Sequence, residues 1–118
     1  MQAERRILRS TEPSRAIRIF LAKNAGEPGL KAAAVASDDG LLLGGVGDED
    51  LDALAALGCA KGAGHDVAER CEHQGWGDEA LFTRRINIGE DTFTIASVGA
   101  PLHATTEVEA LLGRLLAA

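Results

Sequence analysis

Apolar positions along the chain follow two periods, and the change from one to the other marks the elements. Ile17, Phe20 and Leu21 recur at i, i+3 and i+4 behind Ser14, the candidate N-cap after Pro13, and the pattern stops at Asn24, Gly26, Pro28 and Gly29. This predicts a first helix over residues 14–25. Residues 30–37 then read as a strand of small apolar residues, Asp38-Asp39-Gly40 as a tight turn, and residues 41–46 as its partner strand. The turn needs positive φ, which Gly40 accepts without steric cost.

Asp48 or Asp50 can cap the next helix, whose Leu51, Leu54, Ala55 and Gly58 line one face that Val67 and Cys71 could extend. Gly58, Gly62 and Gly64 each weaken a helix by roughly 1 kcal/mol relative to Ala. Residues 50–73 are therefore read as one long helix with a break possible near 62–64. Residues 74–78 connect it to two further strands, 80–88 and 92–98, joined by Gly89-Glu90-Asp91. A last helix, capped by Thr105 or Thr106, carries Val108, Leu111, Leu112, Leu115 and Leu116 as a stripe, with Glu107 and Glu109 in its first turn.

The order helix, hairpin, helix, hairpin, helix excludes a βαβ doubly wound fold. It predicts an α/β (α+β) domain with a central antiparallel sheet and helices on both faces. Residues 1–13 are read as an N-terminal arm or helical lead-in carrying only Ile7 and Leu8 as apolar contacts, and 14–118 as one domain.

Composition narrows the picture. At 46% hydrophobic and 25% charged, the 118 residues fit a single globular core. Aromatics are Phe20, Phe82, Phe93 and Trp76, with no Tyr and 14 Gly, so close packing of small residues is expected. A net charge of −6 argues against a nucleic-acid partner, because phosphate contacts need clustered Lys and Arg. The basic residues Arg5, Arg6, Arg9, Arg15 and Arg18 precede a run of acids, Asp38, Asp39, Asp48, Glu49, Asp50 and Asp52. That run is expected to gather at one end of the domain and to steer a basic protein surface towards it. Asp38, Asp39, Asp48, Glu49 and Asp52 are the candidate partner-facing residues, with Asp50 kept as the cap. With no apolar export segment after Met1 and no run of 18 apolar residues, the expectation is a soluble cytoplasmic protein with no membrane partner.

Candidate chemistry is sparse. Cys59, His65, Cys71 and His73 are the one cluster of metal-ligating types, but their spacing is unlike paired zinc ligands. On a continuous helix Cys59 and Cys71 would stand about 18 Å apart. No metal is expected, and both cysteines are read as reduced free thiols. A Cys/His nucleophile would need an orienting third group that nothing marks. Gly26 to Gly29 lacks the Gly-Lys-Ser/Thr ending of a phosphate loop and Gly40 to Gly47 contains no Lys, so no cofactor is expected. Gly44-Gly45 is read as a bulge or a close backbone approach.

Residues 31–57, Lys-Ala-Ala-Ala-Val-Ala-Ser-Asp-Asp-Gly-Leu-Leu-Leu-Gly-Gly-Val-Gly and then Asp-Glu-Asp-Leu-Asp-Ala-Leu-Ala-Ala-Leu, resemble the roadblock (dynein light chain) family. In that family a small-residue strand, an Asp-Gly turn, a second strand and an Ala/Leu-rich helix follow in this order. The resemblance implies a homodimer built on the long helix and a sheet edge. It also implies a scaffold or regulator for Ras-like small GTPases or motor-type assemblies, with no catalytic residue. The family usually carries three strands after the long helix where this pattern supplies two, unless a short one lies near 76–82. From the residues themselves, Ala55, Gly58 and Gly62 leave little side chain on one helix face and are expected to admit the helix of a second copy. The competing classes are a profilin- or GAF-like ligand sensor, which requires a pocket with convergent polar groups, and a thiol or metal enzyme.

Overall fold

The computed structural model describes residues 11–24, 26–103 and 105–117; Arg5, Arg6, Ile7, Leu8 and Arg9 of the expected arm, and the side chain of Leu116, lie outside them. The elements are α1 (Thr11–Asn24), β1 (Ala32–Ser37), β2 (Leu42–Gly47), α2 (Leu51–Gly62), α3 (Ala68–His73), β3 (Leu81–Ile88), β4 (Asp91–Val98) and α4 (Thr105–Ala117). Helix α1 begins at Thr11, so Ser14 lies within it and is not its cap. Pro13 is tolerated there because first-turn N–H groups have no intrahelical acceptor.

The strands form one antiparallel sheet in the order β2-β1-β4-β3. Strand β1 is central and buried on both faces, which is why it reads as an unbroken apolar run rather than an alternation. Period two still sorts its side chains. Ala33 and Val35 join Ile17, Leu21, Phe93, Ile95, Val108 and Leu112 beneath α1 and α4, while Ala32 and Ala34 join Leu54, Leu57, Ala96 and Val98 beneath α2 and α3. Helices thus cover both faces, with a core on each.

Small residues set the helix–sheet distances. A Cβ on Gly44 would lie 2.8 Å from the Cβ of Ile17, so α1 packs directly on β2. Gly45 stands in the same relation to Leu51 of α2, at 3.3 Å. The register of β1 and β2 shifts between Val35 and Ala36, so Leu43 is inserted as a bulge and buries into the core under α1. The first hairpin closes through Gly40 N–H donating to Ser37 O at 2.9 Å, with Gly40 at φ 82°.

The long helix expected over 50–73 is two helices. Gly64 N–H donates to Lys61 O and His65 N–H to Ala60 O at 3.0 Å, with Gly64 at φ 93°; this pair of bonds ends α2 in a left-handed glycine turn. The same device ends α3: Gly75, at φ 80°, donates to Glu72 O while Trp76 N–H donates to Cys71 O, which turns the indole into the core. Between α3 and β3, Asp78–Ala80 forms a 3₁₀ turn and no strand, so two strands follow the helices among the described residues. No helix among the described residues is long and apolar enough to cross a membrane.

Candidate functional site

The acidic run does not gather at one end. Asp38 and Asp39 occupy the β1–β2 turn, whereas Asp48, Glu49, Asp50 and Asp52 follow β2 at the opposite end of the hairpin. Six-residue strands put roughly 20 Å between the two groups. A hairpin returns the chain alongside itself, so closeness in sequence across it separates the flanking charges instead of joining them.

Within each group the acids differ. Asp50 caps α2 by accepting Ala53 N–H at 3.0 Å. Glu49, expected to face a partner, is half-buried and accepts Trp76 Nε1–H at 2.8 Å, which ties the end of α3 to the start of α2. Its carboxylate is a structural acceptor. Asp48 and Asp52 are exposed. At the other end Asp38 stands 3.7 Å from the Arg85 guanidinium, both side chains about half exposed, a pair of small energetic weight. The backbone carbonyl of Asp38 accepts Cys59 Sγ–H at 3.3 Å.

The small residues expected to face a second copy serve packing within the chain. Ala55 and Gly58 are buried, and a Cβ built on Gly58 would overlap the Cβ of Ala96 on β4. Gly62 is half-buried under the Arg85 side chain, whose Cγ lies 3.3 Å from where its Cβ would be. These residues do form a close-approach face, but what approaches is the chain's own sheet. The outward side of α2 carries exposed Ala56 and half-buried Ala53 and Ala60.

Strand β3 is an edge of the sheet. Gly99 N–H donates to Ala80 O, so by antiparallel alternation the main-chain groups of Leu81, Thr83, Arg85 and Asn87 point away from β4. Lys61 Nζ covers the first of these by donating to Leu81 O at 2.7 Å. The alternation through Thr83-Arg84-Arg85, polar on both faces, was the available signal for an edge strand.

On the α1/α4 face a cavity of about 440 Å³ opens between Phe82, Arg84, Ile95 and Ser97 of the sheet and the segment that leads into α4, with Pro101, Leu102 and His103. That segment is anchored where His103 N–H donates to Glu27 Oε1 at 2.9 Å, a bond that holds the Glu27 carboxyl below its ordinary range. Among the described residues no three His, Cys, Asp or Glu side chains converge as metal ligands. Cys71 is buried beside Val67 and Trp76, while Cys59, half-exposed, meets the first hairpin.

Solved structures share this arrangement. The gliding protein MglB of Thermus thermophilus superposes with a TM-score of 0.59 at 17% identity, covering 92% of this chain and 93% of that one. MglB of Myxococcus xanthus does so with a TM-score of 0.52 at 13% identity, covering 92% and 95%. The fold is roadblock-like. No protein-family model and no curated protein sequence matches the chain. The likeness therefore lies in the order of helices and hairpins around an antiparallel sheet, which the resemblance in residues 31–57 implied, while the count of four strands follows the residue pattern and not the family's usual three strands after the long helix.

Proposed function

We propose that the chain is a non-catalytic homodimeric module that serves as a scaffold or regulator for a Ras-like small GTPase or a motor-type assembly. The observation that carries the reading is a roadblock-like fold over 92% of the chain, shared with a protein described as a gliding protein. Two surfaces support self-association. The outward main-chain groups of Thr83, Arg85 and Asn87 offer a strand to pair, and Ala56 with Ala53 and Ala60 offers a helix flank low enough for close approach. Ala55 and Gly58 take no part in that contact.

The partner-facing acids act as two separate patches, Asp38 with Asp39 and Asp48 with Asp52, each meeting a basic partner surface. The test is titration of the purified protein against small GTPases of its source organism, each loaded with GTP or with GDP. Saturable binding that differs between the two nucleotide states and weakens with salt is expected. Absence of binding in either state, by folded protein at tens of micromolar, overturns the GTPase reading.

A further inference from the structure

We propose that the cavity between β3, β4 and the start of α4 is a binding site for a small organic anion with an apolar body. The cavity lies on the α1/α4 face, away from the outward side of α2, although its lining shares Thr83 with the β3 edge offered for self-association.

Its volume of about 440 Å³ falls in the range of small-molecule sites. Apolar side chains come from both sides, Phe82 and Ile95 from the sheet and Pro101 and Leu102 from the segment before α4, interspersed with the hydroxyls of Thr83, Ser97 and Thr105. The space exists because α4 begins only at Thr105 and sets Val108 and Leu112 in the core with Ile86, while Phe82 and Arg84 border the entering segment instead. The charged and titratable groups on the lining are Arg84 and His103, both exposed, and no lining residue is acidic, although the chain as a whole carries −6. Arg84 has no ion-pair partner among the described residues. Its cross-strand neighbour is Ile95, so the cation stands at the edge of an apolar wall.

Three hydrogen bonds fix the far wall before any ligand arrives. Gly99 N–H donates to Ala80 O at 2.9 Å, Ser97 Oγ–H to Ala100 O at 2.8 Å and His103 N–H to Glu27 Oε1 at 2.9 Å. A site already shaped loses less conformational freedom on binding. Glu27 lies outside the lining; its Oε1 accepts the His103 N–H, and its Oε2 is buried away from the cavity surface with no hydrogen-bond partner among the described residues. The chemistry that fits is a carboxylate, or a similar anion, directed at Arg84 with a hydrocarbon or aryl body against Phe82, Ile95 and Leu102.

Octanoate, octanol and octylammonium are the probes, followed by calorimetry and by amide shifts in nitrogen-15 spectra. Octanoate is expected to bind roughly threefold to fivefold more tightly than octanol, as suits one exposed cation, and octylammonium most weakly. Shifts should centre on Phe82, Arg84, Ile95, Leu102 and His103. Arg84→Gln should erase the octanoate advantage and leave octanol unchanged, and Phe82→Ala should weaken both. The proposal is overturned if octanoate does not saturate, if all three probes bind alike, or if the shifts fall around Trp76 on the opposite face. The wild-type shift map decides the matter even if Phe82→Ala fails to fold.

Discussion

Replacing Gly58 by Ala isolates how α2 is held to the sheet. In an exposed helix the change would stabilise by about 1 kcal/mol, because Ala restricts the unfolded backbone and favours the helix. Here the added methyl meets the Ala96 Cβ, which is fixed to the backbone of β4 and cannot rotate away. Overpacking of that kind costs roughly 1–3 kcal/mol, and overlap with a strand methyl puts the cost in the upper part of that range. The net expectation is a loss of about 1–2 kcal/mol. Ala96→Gly, which removes a buried methyl and adds backbone freedom, should cost about 1.5–2 kcal/mol by itself. The double variant should then be no less stable than Ala96→Gly alone, because the clash disappears while the helical gain remains. Urea unfolding at fixed protein concentration, read by the emission of Trp76, the single Trp, measures all three. Stabilisation by Gly58→Ala, or strict additivity of the two changes, would refute the packing described for this face.

Glu49→Ala should cost about 1–2 kcal/mol and shift Trp76 emission to longer wavelength, since it removes the carboxylate that accepts the indole N–H; unchanged emission would contradict that bond. Glu27 should contribute stability above its unfolded pKa of about 4.5, because the His103 amide depresses its folded pKa, and should lose it as pH falls through that lower value. Glu27→Gln should accordingly flatten the decline in melting temperature below pH 4.5, and an unaltered decline would show that the contact is not formed. Asp38→Asn with Asp39→Asn, and Asp48→Asn with Asp52→Asn, should slow partner association independently, with rate losses that multiply when the pairs are combined; strong interdependence would place the acids in one patch.

Element order was legible because it rests on local signals. Gly40 and Gly89 mark turns, Asp50 caps, and the stripe of Val108, Leu111, Leu112 and Leu115 has an unambiguous helical period. The break after Gly62 was harder, since Val67 and Cys71 continue the apolar period across a turn that only the left-handed Gly64 betrays. Three-dimensional placement of charge was not legible. Asp38 and Asp48 lie ten positions apart and differ in place by the length of a hairpin, which a linear count of acids cannot express. Nor could composition tell a small-residue face made for a second copy from one made for the chain's own sheet. Gly58 and Ala96 are 38 positions apart, and their contact follows from the crossing of α2 over β4. The apolar–cationic cavity joins Phe82 and Arg84 to Leu102 and His103 through the turn at Gly99, so its members share no short motif.

Light scattering of the protein eluting from a sizing column, at high micromolar concentration, tests the central claim most directly. The account predicts a mass of twice 12.3 kDa for the wild-type chain, reduced to 12.3 kDa when Ala56→Arg places a charged side chain on the outward flank of α2. A wild-type chain that remains at 12.3 kDa throughout would contradict it.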